Sequence, residues 1–320
     1  MFLKNAIKIA NQIVNQAIWD NHRCNWLGIK DDLSFISSLG PDLYYGTSGV
    51  SIFLVKMYEN TKIKQFRTAA TGAIYQALST LHLIPKNERL GLYTGWIGVY
   101  FATAFVGKIL GERHLIELAS GLVNEYISDK QSTNVSDIIS GKAGTIITLL
   151  TLRNIIGDNE NKLITFATEL GEDLIKTADR KKGYSWSSPD IKTKHNLTGF
   201  SHGTAGIGYA LLHLFKETDN NNFKKTAQLA FKYEEHYFDS NSGNWPDFRN
   251  SSEKDIHSYY PSTWCHGAPG ISISRILAYK IIGESRYKNE AIAALKRTTG
   301  QVKKMLNSGM ENYSLCHGLG

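Results

Sequence analysis

Six short segments of this chain share one pattern: YYGTSGVSIFL from residue 44, YTGWIGVYFAT from 93, ISGKAGTIITL from 139, FSHGTAGIGYALL from 200, TWCHGAPGISISR from 263 and LCHGLG from 315. Each has a first glycine (Gly46, Gly95, Gly141, Gly203, Gly267, Gly318). In the first five a second glycine follows three residues later, ahead of an apolar run. Successive first glycines are 49, 46, 62, 64 and 51 residues apart, a period that fits a helical hairpin with its loops. The runs after the glycines, such as VSIFLV and IGYALLHL, are apolar nearly all round, as inner helices covered on most sides would be. Between them lie patterns on a more polar background, Phe223, Ala227, Ala230 and Phe231, or Ala291, Ala294 and Leu295, which read as outer helices. Only 6 prolines occur, and Pro269 sits where the first turn of a helix accepts one. The expected fold is all-α: a single domain over 1–320, in which helical hairpins close into an α/α toroid.

Register then brings distant residues together, because positions at equal offset from each first glycine should lie at the same height on one rim. At offset minus one stand His202, His266 and His317. At minus two stand Ser201, Cys265 and Cys316, and at minus four in the third repeat stands Asp137. Two of the 3 cysteines and three of the 10 histidines thus share one end of the ring.

Such a rim suggests chemistry. Thiolate and imidazole are good zinc ligands, and Cys265, Cys316 and His317 would supply three, leaving the fourth tetrahedral position open as catalytic sites do. A thiol entering that position would ionise near neutral pH. His202 could take the thiol proton or deliver one to an enolate formed later, with Asp137 to orient it. His266 admits two readings, a fourth ligand closing the site or a substrate contact. The segment NWPDFR (Asn244–Arg249) reads either as an ordered loop with an internal ion pair or as a substrate contact through Arg249. Cys24, alone in a polar stretch, reads as incidental.

Charge and hydropathy exclude other classes. The net charge is +7, but Lys and Arg are dispersed and form no dense basic run, so a solvated basic surface is expected and no nucleic-acid partner. The same field would steer an acidic partner such as a peptide segment. No apolar stretch approaches the roughly 18 residues of a membrane span. The N-terminus repeats Leu3, Ile7, Ala10, Val14 and Ile18 at helical spacing, which reads as a first helix rather than a signal peptide and places the chain in the cytoplasm. A toroidal glycosidase would need two rim carboxylates, and only Asp137 offers itself.

SHGTAGIGYALL, TWCHGAPGISISR and LCHGLG resemble the signature segments of the lanthionine synthetase C-like cyclases, and the match runs along the whole chain. LGPDLYYGTSGVSIFL, LTGFSHGTAG, FDSNSGNWPDFR and WCHGAPGI are similar to the cyclase domain of class II lanthipeptide synthetases. The resemblance implies a seven-hairpin α-toroid with zinc on Cys265, Cys316 and His317 and acid/base roles for His202 and Asp137. It implies Michael-type addition of cysteine thiols to dehydroalanine or dehydrobutyrine in a leader-bearing, dehydrated precursor peptide. Trp264, His266 and Arg249 are the expected substrate contacts. The class II proteins carry a dehydratase region ahead of the cyclase, whereas this sequence starts at the cyclase. Dehydration is therefore expected from a separate polypeptide, or the sequence is a piece of a larger one. The sequence stops at Gly320 inside the sixth repeat, so the last hairpin is expected to be missing. Two rival functions share the rim: addition of glutathione or another small thiol to dehydroamino acids in proteins, and a zinc-stabilised toroid that only binds peptide.

Overall fold

In this computed structural model residues 2–29, 36–129, 133–189, 191–250, 259–309 and 314–318 are described. Contacts sort the chain into two units, 1–133 with 148–166, and 134–147 with 167–320. Among the described residues the long elements are all helices. The first unit holds α1 (Phe2–Asn15), α2 (Thr47–Thr61), α3 (Lys64–Ser79), α4 (Trp96–Leu110) and α5 (Arg113–Ser128). The chain passes between units in α6 (Lys142–Ile156) and α7 (Lys162–Thr177). The second unit continues with α8 (Thr204–Thr218), α9 (Asn221–Tyr237), α10 (Ala268–Ile282) and α11 (Ser285–Ser308). No helix among them is long and apolar enough to cross a membrane.

Consecutive helices pack as the repeat predicts: α2 with α3, α4 with α5, α8 with α9 and α10 with α11. Helices that follow the glycines also pack on one another, α2 on α4 and α8 on α10, as the inner-helix reading requires. Leu54, Val55, Phe66, Ile74, Ala102, Val106 and Leu115 form the core of the first unit. Trp245, Ala205, Ala268, Ile271 and Ala294 form one in the second. Each large side chain so buried contributes about 1.5–3 kcal/mol of hydrophobic stabilisation before entropy is charged against it.

The glycine pairs are explained by close backbone approach. The second glycine of a repeat rests on the carbonyl six residues earlier: a Cβ would stand 2.3 Å from Leu43 O at Gly49, 1.8 Å from Leu92 O at Gly98, 2.0 Å from Phe200 O at Gly206 and 2.0 Å from Trp264 O at Gly270. The first glycines cap the helices that follow. Gly46, Gly95 and Gly203 have φ between −116° and −103° with ψ near 180°, which any residue adopts, so it is the missing side chain that matters there. Gly267 alone of these caps has positive φ, 96°, a conformation that favours glycine. Pro269 stands in the first turn of α10, as expected.

The first helix is shorter than the periodicity suggests. It ends at Asn15, and Ile18 opens a hairpin of β1 (Ile18–Asp20) and β2 (Arg23–Asn25), followed by β3 (Leu27–Ile29) paired with β4 (Ile36–Ser38). Trp26 anchors this region by donating its indole N–H to Ile13 O at 2.7 Å. Cys24 is buried there as a small core residue, with Sγ donating to Ala69 O at 3.4 Å and burial pushing its thiol up to about 12.

Candidate metal centre and acid/base pair

All the rim residues of interest belong to the second unit. Their loops are joined by backbone hydrogen bonds at matching offsets. Ile138 N–H donates to Ser201 O at 3.0 Å, and the N–H groups of Phe200 and Ser201 donate to Cys265 O at 3.1 and 3.2 Å. Cys265 Sγ in turn donates to Cys316 O at 3.4 Å. The third, fourth, fifth and sixth repeats are thereby stitched together at the height of the cysteines.

One ligand atom each from Cys265, Cys316 and His317 lies within 4.8 Å of the other two. Cys316 Sγ and His317 Nε2 are 3.8 Å apart; two donors bound tetrahedrally to one zinc ion lie roughly 3.6–3.8 Å apart. Two thiols and an imidazole grouped within 4.8 Å match the donor chemistry of zinc, and the Cys316–His317 pair matches its size. A hydrogen bond from the Cys316 side chain, which favours the thiolate, pulls the Cys265 thiol down to about 6 against the opposing effect of burial, helped by Thr263 and the charges of His317 and Arg249. Thr263 Oγ1 stands 3.4 Å from Cys265 Sγ and also bonds the His266 backbone.

Beside this cluster, His202 Nδ1 lies 2.6 Å from Asp137 Oδ2. Asp137 is buried and its other oxygen accepts Ser140 N–H at 2.8 Å. With Nδ1 committed to the carboxylate, Nε2 of His202 remains available on a ring that keeps about a quarter of its surface exposed (27%).

The three expected substrate contacts part company. Arg249 is partly exposed and holds Asp247 in a forked pair, Nη2 to Oδ2 at 2.8 Å and Nε to both oxygens at 3.1 Å. Asp247 is fully buried; burial would raise its carboxyl, but the hydrogen bonds and charge of Arg249 hold it below the usual range. The internal ion pair of NWPDFR is therefore present. Trp264 is half-buried against Phe200, ring centroids 5.6 Å apart. His266 is 1% exposed, and neither ring nitrogen has a hydrogen-bond partner among the described residues. It stacks on His202 with centroids 6.0 Å apart and its Nδ1 is 3.9 Å from Asp247 Oδ1. Burial lowers its pKa to about 4, so the ring is neutral. His266 lies outside the three-residue ligand group. Residues 319 and 320 of the LCHGLG segment lie outside the described residues.

Glu234 on α9 escaped the sequence reading. It is fully buried and its Oε1 accepts the N–H groups of Gly199 at 2.9 Å and Ala205 at 3.0 Å, clamping the loop that carries His202 from both ends. Its Oε2 takes Arg275 at 3.1 Å, and Arg275 also binds Glu290. The signal was available: Ala227, Ala230, Phe231 and Glu234 fall at helical spacing on one face, so a carboxylate belongs among the buried residues of that helix.

Comparison with known proteins bears on the family and the fold. A family model described as lanthionine synthetase C-like protein matches residues 37–319. The lacticin 481/lactococcin biosynthesis protein LcnDR2 of Lactococcus lactis subsp. lactis is 28% identical over 92% of this chain, which spans only 30% of that protein's length. The LanC-like protein GCL1 of Arabidopsis thaliana is 24% identical over 95% of the chain and 70% of its own length. Among solved structures, nisin cyclase aligns with a TM-score of 0.66 and 16% identity over 98% of this chain and 78% of its own. That likeness assigns the fold to the α/α toroids. A D-mannose isomerase shares the fold more loosely, TM-score 0.55 at 14% identity over 93% of this chain and 86% of its own, so the function must be argued from the site.

Proposed function

Because this chain belongs to the lanthionine synthetase C-like family, we propose that it is a zinc-dependent cyclase that adds cysteine thiols of a dehydrated peptide to dehydroalanine or dehydrobutyrine, forming thioether rings. The observation that carries the reading is the grouping of Cys265, Cys316 and His317 next to an acid/base pair, His202 with Asp137. Those three side chains would hold the ion, which when bound lowers the pKa of a thiol entering its open position.

The chain's own residues account for the proton. Asp137 fixes the tautomer of His202, so Nε2 can accept the S–H proton and the resulting imidazolium faces a carboxylate. The thiolate sulfur bonds to the β-carbon, the C=C electron pair moves toward the carbonyl as an enolate, and His202 returns the proton at the α-carbon. One S–H and one C=C are replaced by one C–S and one C–H, with no oxidant or reductant consumed. Buried neutral His266 lies nearly parallel to His202, ring centroids 6.0 Å apart, and adds no charge to compete with the imidazolium. Arg249 and Trp264 contact the peptide from the loops on either side of the fifth repeat's start. The substrate is a leader-bearing precursor dehydrated beforehand by another polypeptide or region, in the cytoplasm.

The test is to incubate the zinc-loaded chain with a peptide containing one cysteine and one dehydroalanine, then alkylate and weigh the product. Ring closure leaves the mass unchanged and removes the alkylatable thiol without any added thiol. Consumption of dehydroalanine only when glutathione is supplied would replace the reading by intermolecular thiol addition. Peptide binding with no loss of thiol would leave a binding toroid.

A further inference from the structure

The second unit contains a cavity of 280 Å³ lined by Lys181, Lys182, Lys194, His195, Tyr237 and Asp179 among others. That is about nine times the share of liquid volume of one water molecule, so it has room for a side chain and not merely a bridging water. Its charge is one-sided. Three exposed lysines and one aspartate line it, and Asp179 already accepts the Lys181 main-chain N–H at 3.1 Å. None of the three lysines pairs with a carboxylate among the described residues; Lys182 instead lies over the Tyr237 ring, 5.3 Å from its centroid. His195 feels this field: burial first, then Lys182 and Lys194, lower its pKa.

A chain of contacts leads from the cavity toward the proposed reaction site. His195 packs edge-on against Phe248, centroids 5.1 Å apart, and Phe248 is flanked in the chain by Asp247, whose Oδ1 lies 3.9 Å from His266 Nδ1, and by Arg249, whose charge acts on Cys265.

Resting on the cyclase reading above, we propose that this cavity is a subsite for an acidic side chain of the peptide substrate, whose carboxylate is held by Lys181, Lys182 and Lys194. An oxyanion could equally come from free phosphate, and the experiment separates the two. Affinity is read by anisotropy of a fluorescein-labelled peptide carrying one cysteine, one dehydroalanine and a run of glutamates, beside a counterpart with glutamines, in the full zinc-loaded chain. The double variant Lys181→Gln/Lys194→Gln should weaken the glutamate peptide about fivefold and leave the glutamine peptide unaffected. Lys303→Gln/Lys304→Gln, exposed on α11, removes the same net charge elsewhere and should change neither. Equal losses for both peptides, or an equal loss in the α11 variant, would overturn the proposal. So would inorganic phosphate binding that depends on Lys181 and Lys194 while the glutamate peptide ignores them. Thiol consumption in the same samples separates the two claims. Lysine-dependent binding with no ring closure sinks the cyclase reading and not the subsite; ring closure indifferent to the lysines sinks the subsite alone.

Discussion

The loop ahead of Gly95 and the loop ahead of Gly267 are built alike and carry different side chains. In the first unit the N–H groups of Leu43 and Tyr44 both donate to Tyr93 O at 3.0 Å; in the second, those of Phe200 and Ser201 donate to Cys265 O at 3.1 and 3.2 Å. Counted from the first glycine of each repeat, donors stand at minus three and minus two and the acceptor at minus two in both. Where the second unit has Cys265 and His266, the first has Tyr93 and Thr94. The aspartates at minus four repeat the lesson. Asp42 Oδ1 accepts Tyr45 N–H and Asp137 Oδ1 accepts Ser140 N–H, each at 2.8 Å and each from the residue at minus one. Asp137 in addition holds His202, the minus-one residue of the next repeat. The frame is set by glycine contacts and main-chain bonds, so the side chains at minus one and minus two are free to bear chemistry in one unit without altering the fold.

The sharpest break of this comparison is a matched pair of truncations at minus two. Cys265→Ala should reduce bound zinc from about one per chain to near zero and abolish ring closure, whereas Tyr93→Ala should retain both; metal analysis of the folded fraction reads the difference. If Tyr93→Ala also strips the metal, the two loops are not independent carriers. At minus one, His202→Ala should slow ring closure by about 10²–10⁴-fold with zinc content intact, and Thr94→Ala should leave the rate unchanged.

Offsets placed the cysteines, His317, His202 and Asp137 together because bonds at fixed positions link one repeat to the next, main-chain bonds from the third to the fifth and Cys265 Sγ to Cys316 O for the sixth. Offset also places His266 beside His202, but it does not give exposure: His266 is buried while His202 keeps an exposed edge, and Gly267 has φ 96° where Gly203 has φ −103°. An offset sets a residue's height and not the direction of its loop. Two further features left weaker traces. Strands of three residues around 18–38 are too short to establish an alternating pattern. Glu234 acts on a loop some 30 residues away in sequence, and only its place on the buried face of α9 hinted at it.

A smaller effect sharpens the comparison at minus four. Asp42→Asn and Asp137→Asn each weaken a charge-assisted loop bond, and each should lower stability by about 1–2 kcal/mol in urea titration. Only Asp137→Asn should slow ring closure, by about tenfold to a hundredfold, less than loss of the imidazole itself. Equal rates for the two variants would mean that the Asp137–His202 contact serves the fold alone.

The smallest expected difference concerns what clamps the loops. In the first unit a neutral bond does this, Ser48 Oγ donating to Pro41 O at 2.6 Å, and Ser48→Ala should cost about 1 kcal/mol at any pH. In the second the clamp is Glu234, whose carboxyl burial pushes up to about 7 although Arg275 and the two amides favour its charged form. Between pH about 4.5 and about 7 the folded chain then holds a proton that the unfolded chain has released, so this group's contribution to stability declines as pH rises through that window and is level above it. Glu234→Gln keeps the shape and cannot ionise. The stability difference between wild type and this variant should therefore fall from pH about 5 to pH about 7.5, while the corresponding difference for Ser48→Ala stays flat. A flat line for both would show that Arg275 keeps Glu234 ionised throughout, making the His202 loop as insensitive to pH as its counterpart in the first unit.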